Sequence, residues 1–273
     1  MLTSLIKFEW KSMARYLWIV WAGLLACSLL LAVTYRGYDI LLSGADTPLI
    51  YVMLKVIPTI AFWLLFTANI IITIVMVVAR FYSGLLCEEG YLMHTLPVKT
   101  RNLILSKGII ATAAVIISII AALLSVYIMS VLGMGASTGD LKYLFRDMCD
   151  LGGWAFVADV ELFLIFVLAI MAEIYKAYTA MSLGQLAGKH RILLSAGAYI
   201  GVNIALSIIM AVLIFVCEII FVHTTFDFEI NFAAGSESLY TLFCLALILG
   251  QLIECGLLHL ITEKLLTKKL NLV

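Results

Sequence analysis

The sequence has very few charged residues: they make up 12% of its 273 residues, whereas 64% are hydrophobic. A soluble globular domain carries about 25% charged residues, and no packed core hides this much apolar surface from water. The formal net charge is zero, so no overall field favours nucleic acid. With only three prolines, the chain has little room for a flexible linker. These shortages exclude an ordinary soluble protein and indicate a chain embedded in lipid.

The sequence also lacks the motifs of metal, redox and nucleotide chemistry. Its six cysteines show no CxxC spacing and no histidine partner at metal-ligand distance. The segment GQLAGKH (184–190) is one residue shorter than a phosphate-binding loop, has His190 in place of Ser or Thr, and follows no predicted strand. We therefore predict that the chain is not an enzyme and holds no ATP, metal or other cofactor of its own.

Long apolar segments are what the sequence does have. Six blocks of about 20 residues or more are each long enough to cross a hydrocarbon core roughly 30 Å thick as a helix. They show no strict alternation, which argues against a membrane barrel. The prediction is an all-α polytopic membrane protein with a single transmembrane domain over 1–273. Its six transmembrane helices lie near 16–35, 56–79, 108–132, 154–180, 192–222 and 238–262.

The distribution of Lys and Arg predicts the orientation. Thirteen of the 17 basic residues fall in the N-terminal segment, the loops after spans two and four, and the C-terminal tail. Because positive residues concentrate on the cytoplasmic side, both termini are predicted to be cytoplasmic. The expected location is the cell membrane, most simply a bacterial plasma membrane.

The first fifteen residues have their own amphipathic pattern. Apolar residues that include Ile6, Trp10 and Met13 recur at helical spacing, and Lys7 and Lys11 lie on the other side. This pattern predicts an elbow helix in the cytoplasmic interface, with Trp10 at headgroup depth. The alternative is a helix that merely extends span one into water.

The loop after span two is the most polar long stretch of the chain, with the sequence CEEGYLMHTLPVKTRNLILSK (87–107). Gly90 is predicted to end or turn the span-two helix, and Pro97 stops the short amphipathic segment YLMHTL. Thr100 is a plausible N-cap for the helix that leads into span three. The segment therefore predicts a short transverse helix that presents a rigid surface to a soluble partner, although an ordinary polar loop is equally compatible with the residues.

Part of this loop, EEGYLMHTLPVKTRNLILSK (88–107), resembles the first cytoplasmic loop of permease subunits of type II ATP-binding-cassette exporters. A second segment, AMSLGQLAGKHRILLSAGAYIG (180–201), is similar to the matching loop of bacterial peptide-resistance and lantibiotic-immunity permeases. The specific motifs cover about forty residues, whereas the six-span layout covers the chain. The family departs from this sequence between spans five and six, where residues 223–237 are short for a re-entrant outer element.

The resemblance implies a permease subunit that exports its substrate when a separate ATPase subunit hydrolyses ATP. The chain would work as a dimer with an identical or homologous permease subunit, and ATP and magnesium would bind the ATPase subunit. The transverse helix would be a coupling helix that docks on that subunit. The residues that the resemblance assigns to this contact or its surroundings are Glu88, Glu89, Gly90, Tyr91, Leu92, Leu96, Pro97 and Arg101. An antimicrobial peptide or another amphipathic compound is the substrate class suggested by the family.

A few polar side chains are predicted inside the membrane: Glu161, Glu173, Lys176, Gln251 and Glu254. Only eleven residues separate the first two of these acids, roughly 17 Å of helix, so one of them must lie inside the hydrocarbon or close to its edge. Glu173 and Lys176 are spaced to form an ion pair on one helical face. Glu254 has no basic residue one turn away, so it either pairs with another span or the dimer partner, or lines a path for substrate, cation or proton.

Two other functions remain open on sequence alone. A six-span channel or ion-coupled carrier could use Glu254 and Glu173 as ion ligands. A membrane scaffold without transport activity would share the same composition.

Overall fold

A computed structural model of the chain describes residues 2–42, 49–86, 100–133, 153–186, 190–225 and 232–268. These residues form six long α-helices and short helical extensions, and the described ranges contain no strand. The helices are α1 (Leu2–Leu42), α2 (Leu49–Phe81), α3 (Thr100–Ile128), α4 (Gly153–Gly184), α5 (Arg191–Thr225) and α6 (Phe232–Lys268). A π-helical turn extends α2 over Tyr82–Leu86, and another extends α3 over Met129–Gly133.

Each predicted span lies within one of these helices, or for 108–132 within α3 and its π-helical extension, because a long apolar segment in lipid must satisfy its backbone polar groups internally. Five of the described helical segments are long and apolar enough to cross a membrane: Thr3–Gly37, Lys55–Leu86, Thr100–Gly133, Arg191–Val212 and Phe243–Thr267. Helix α4 has the required length at 32 residues, but it carries Asp159, Glu161, Glu173 and Lys176 and is not among the five. The all-helical prediction is confirmed, and the sixth span stays a prediction.

The N-terminal helix is continuous. Helix α1 runs from Leu2 through the predicted boundary near residue 15, so the amphipathic segment and the first apolar segment share one axis. The predicted polar side chains Lys7 and Lys11 are exposed, Met13 is buried, and Ile6 and Trp10 are half-buried. The structure thus has the helical extension that the sequence left open, and its position in the membrane interface stays a prediction.

The chain divides into two compact units, and the boundary falls inside α2 and inside α3. The first unit consists of residues 1–79 and 109–151, and the second of residues 80–108 and 152–273. The prediction of one transmembrane domain over the whole chain stays a prediction.

An apolar cluster and a polar knot hold the first unit together. Leu24 and Leu31 of α1, Phe62 of α2 and Ala122 of α3 form the buried apolar cluster. At the π-helical end of α3, a Cβ at Gly133 would lie 3.1 Å from a backbone atom of α1, so the close approach of this turn to α1 favours glycine.

The polar knot is centred on Ser118 of α3. Its hydroxyl accepts a hydrogen bond from Nε1 of Trp21 at 2.9 Å, and its carbonyl accepts one from Nδ2 of Asn69 at 3.2 Å. The Thr73 hydroxyl lies 2.9 Å from that of Ser118 and donates at 2.7 Å to the Asn69 carbonyl. The Thr73 hydroxyl is also the donor to Ser118, so its one proton is shared between the two acceptors. One serine therefore joins α1, α2 and α3.

Helix α4 is central to the second unit, where it packs against both α5 and α6. The residue numbers of the contacting pairs increase together along α4 and α6: Leu168 contacts Cys255, Tyr175 contacts His259, and Thr179 contacts Thr262. The two helices are therefore parallel. Helix α5 is different, since the apolar segment Arg191–Val212 has none of its side chains buried.

Candidate functional site

The loop singled out by the sequence is described only at its two ends. Its predicted contact residues from Glu88 to Pro97 lie outside the described residues, so their predicted conformation and role stay untested. Arg101 lies in the first turn of α3 and is exposed. The structure does describe the stem of the loop, which we define as Arg80–Leu86 at the end of α2 and Thr100–Gly108 at the start of α3.

A buried lysine ties the two sides of the stem together. The Lys107 side chain leaves α3, is only 5% exposed, and places Nζ 3.4 Å from the Arg80 carbonyl oxygen of α2. Carbonyl groups at the C-terminal end of a helix carry partial negative charge and attract a cation. A Cβ at Gly84 would lie 2.5 Å from this Nζ, so glycine is required for the ammonium group to reach the end of α2.

Two tyrosines of α4 support both sides of the stem. The Tyr178 ring stacks on Phe81 of α2, with centroids 3.9 Å apart and planes 13° from parallel. Its hydroxyl donates to the Lys107 carbonyl oxygen at 3.4 Å. One turn away, the Tyr175 hydroxyl lies against α3, where a Cβ at Gly108 would be 2.8 Å from it. The stem is thus anchored to a third helix.

Sequence reasoning did not identify these two tyrosines as site residues. Their only signal was an i, i+3 aromatic pair near the end of an apolar helix, and this pattern is common in packed cores. Their contacts with both stem helices appear only in the tertiary structure.

The part of α4 that supports the stem also contacts α6. The Thr179 and Thr262 hydroxyls are 3.0 Å apart, and the Thr179 hydroxyl also lies 3.3 Å from the Leu258 carbonyl oxygen. The Tyr175 and His259 rings meet edge to face, with centroids 5.5 Å apart. Helix α4 therefore contacts the loop stem and α6 within one helical turn.

A charged triad connects α4 and α6 on another side of α4. The Lys176 ammonium lies 2.8 Å from Glu173 Oε1 and 3.2 Å from Glu254 Oε1. The second contact is an ion pair without hydrogen-bond alignment. Tyr199 of α5 donates to Glu173 Oε2 at 3.0 Å. The pair predicted within α4 is confirmed, and Glu254 pairs with a residue of another helix, Lys176 of α4.

The two remaining predicted intramembrane residues, Glu161 and Gln251, are not brought into this triad. The Glu161 side chain is buried, and its Oε2 has no hydrogen-bond partner in the described chain. Oε1 of Gln251 is likewise buried and unpaired there. No group of three or more His, Cys, Asp or Glu side chains within the described ranges is arranged to hold a metal ion.

Comparison with known proteins adds no family assignment. The sequence matches no family model, and no curated protein or solved structure shows significant similarity to it.

Proposed function

We propose that the chain is the membrane-spanning permease subunit of an ATP-binding-cassette exporter, driven by a separate ATPase subunit that docks on the 87–99 loop. The observation that carries the proposal is that the two sides of the stem are tied together, because a coupling loop can transmit force only if its two ends move as one body. Lys107 and Tyr178 join α2, α3 and α4 below the loop. The sequence resemblance of residues 88–107 supplies the identity of the partner.

The finer membrane arrangement belongs to the same proposal. Helix α4 forms the sixth span, and the Lys176 ammonium lowers the cost of placing Glu173 of α4 and Glu254 of α6 in the membrane. The N-terminal part of α1 lies in the cytoplasmic interface as the elbow. The apolar and exposed segment Arg191–Val212 contacts lipid or a second permease subunit.

The orientation has a direct test with native cysteines. Cys149 should react with a membrane-impermeant thiol reagent in intact cells, whereas Cys87 should not, because the Lys and Arg bias places them on opposite sides. Variants that keep one of the two cysteines separate the signals. Labelling of Cys87 alone would reverse the orientation and exclude the coupling role of the loop.

Docking is tested on two large apolar side chains of the loop. A few anchors carry most of the energy of an interface, about 2 kcal/mol or more for each. The double substitution Tyr91→Ala and Leu96→Ala should therefore abolish capture of the ATPase subunit that co-purifies with the tagged chain from its native host, and should remove substrate-stimulated ATP hydrolysis in nanodiscs.

A matched control has the same residue types on α3, at the end away from the loop. The double substitution Tyr127→Ala and Leu123→Ala changes a half-buried tyrosine and an exposed leucine. It should leave capture and hydrolysis unchanged. If the loop variant also keeps full binding and stimulated hydrolysis, the loop is not the docking site and the exporter proposal loses its structural support.

An ion-coupled carrier that uses Glu254 and Glu173 as ligands is the second candidate. Their carboxylates leave one net negative charge after pairing with Lys176, which favours a cation or proton nearby. However, the Lys176 ammonium already occupies the position between them that a coupling cation would take, so we place this candidate second. It predicts that Glu254→Gln abolishes transport or its pH dependence while assembly survives, whereas a purely structural Glu254 predicts that most transport is retained.

A further inference from the structure

Unpaired polar atoms concentrate on one pair of helices. Seven buried side-chain nitrogen or oxygen atoms of the described chain lack a hydrogen-bond partner. Five of them lie on α4 and α6: Glu161 Oε2, Gln251 Oε1, Glu254 Oε1 and both ring nitrogens of His259. Glu254 Oε1 has the ion pair with Lys176, and the other four have no polar partner there.

Contacts and helical spacing place these side chains between the two helices. His259 and Glu254 contact α4 directly, through Tyr175 and Lys176. Gln251 precedes Cys255 by one turn, and Cys255 Sγ lies 3.9 Å from the Leu168 carbonyl oxygen of α4. Glu161 precedes Leu168 by seven residues and therefore lies on the same face of α4. We call this set of side chains the α4–α6 seam.

Burial raises the free-energy cost of leaving a polar group without a hydrogen-bond partner. His259 is 7% exposed and Glu161 is 8% exposed, and the unpaired atoms of both side chains lie below the protein surface. Buried polar groups in folded proteins are paired with protein atoms, ordered water or an ion. One unpaired group is an isolated exception, but a row of them along the same helix pair indicates a shared partner.

The row is also long and closed at one end. From Glu161 to Tyr175, which contacts His259, the seam extends over about 21 Å of helix. Beyond that level the Thr179 and Thr262 hydroxyls pair with each other at 3.0 Å. Tyr178 and Lys107 close the neighbouring face through their hydrogen bond.

We propose that the α4–α6 seam is a blind, water-filled path that opens at the Glu161 end and closes at the Thr179–Thr262 pair. Water in this path completes the hydrogen bonds of Glu161, Gln251 and His259 and reaches the Lys176 triad. The path makes Glu254 and His259 accessible to protons and small hydrated ions from one side of the membrane only. This inference does not depend on an ATPase partner.

A native cysteine reports directly on water in the seam. Cys255 is 6% exposed and lies between Gln251 and His259 on α6. Silver ion is small, needs an aqueous route, and blocks thiols against later alkylation. The experiment uses the full chain in nanodiscs with Cys255 as its single cysteine, treats it with silver nitrate, and measures the thiols that remain reactive to maleimide after denaturation in SDS.

The matched control carries its single cysteine at Ala122→Cys. This position is 8% exposed, comparable to Cys255, but it belongs to the apolar cluster of the first unit. We expect silver to block Cys255 at least tenfold faster than the control cysteine. In a Cys255 background, Gln251→Leu should slow the reaction to the control rate, because it removes one of the groups that hold water.

Equal and slow blocking of the two cysteines would overturn the proposal and would mean that α4 and α6 form a dry interface. If Gln251→Leu fails to assemble, the comparison of Cys255 with the control still decides between a wet and a dry seam. The blind end has its own readout. A single cysteine at Leu265, which is buried on α6 beyond Thr262, should react at the control rate, and fast blocking at Leu265→Cys would contradict closure at Thr179–Thr262.

Discussion

The contact of Lys107 with the Arg80 carbonyl oxygen, for which Gly84 leaves room, gives the most decisive test of the loop stem. Substitution Gly84→Ala places a methyl group where Nζ of Lys107 lies, because the added Cβ would be 2.5 Å from that nitrogen. The lysine side chain is flexible and moves away, so the cost is the lost contact with the Arg80 carbonyl oxygen. Substitution Lys107→Met removes the ammonium group and keeps an apolar side chain of similar length.

The distance sets the expected magnitude. Hydrogen bonds to charged groups contribute about 1.5–3 kcal/mol to stability. The Lys107–Arg80 contact is 3.4 Å, longer than the usual 2.7–3.2 Å range, so we take the lower end, about 1.5 kcal/mol. Lys107 makes further interactions, so Lys107→Met should lower the free energy of unfolding by at least this amount.

The double-mutant cycle provides the assay. With methionine at position 107 the added methyl of Gly84→Ala displaces no ammonium, so the double variant should be no less stable than Lys107→Met alone. The coupling energy should be about 1.5 kcal/mol, within the range for residues in contact. The measurement is unfolding in detergent micelles by SDS titration, followed by tryptophan fluorescence.

A second glycine controls for the change in helix propensity. A Cβ at Gly197 of α5 would have nothing within 4 Å, so Gly197→Ala should be neutral or stabilising by up to about 1 kcal/mol. Its effect should add to that of Lys107→Met. If the effects of Gly84→Ala and Lys107→Met are additive, like those of the control pair, the Lys107 contact beside Gly84 does not stabilise the stem.

Three further predictions use the same unfolding assay. Lys176→Met should destabilise the chain by about 2.5–3.5 kcal/mol, more than Glu254→Gln does, because it leaves two acids without their shared ammonium. Adding Glu254→Gln to Lys176→Met should then restore part of the lost stability, and no restoration would contradict the triad. Ser118→Ala should cost about 1–3 kcal/mol because it leaves a buried indole N–H unpaired, whereas Ser125→Ala, whose hydroxyl bonds only to its own helix at 2.7 Å, should cost less; equal costs would dismiss the polar knot. Tyr178→Phe keeps the aromatic stack and should cost under about 1 kcal/mol, whereas Tyr178→Ala should cost about 3–5 kcal/mol, and a Phe variant as unstable as the Ala variant would assign the anchoring to the hydroxyl instead.

Part of the candidate site could be predicted from local spacing. Glu173 and Lys176 are three residues apart on one helix, so their ion pair follows from helical geometry alone. The same geometry predicted the face of α1 that carries Lys7 and Lys11. It did not predict that α1 would continue without a break, because a polar face on a helix does not show whether the apolar segment that follows belongs to the same helix or begins a second one.

The all-helical class and the positions of the helices were determined by the sequence itself. An apolar segment of about 20 residues in lipid has one good solution, a helix that satisfies its own backbone, so composition and length fix the class and the location of the elements. The partners of Lys107, Ser118 and Glu254 were decided only by the tertiary structure. Apolar side chains do not drive helices together in lipid as they do in water. The pairing of α4 with α6 therefore depends on close packing and on a few polar contacts between residues more than 70 positions apart in the chain, which no local pattern in the sequence specifies.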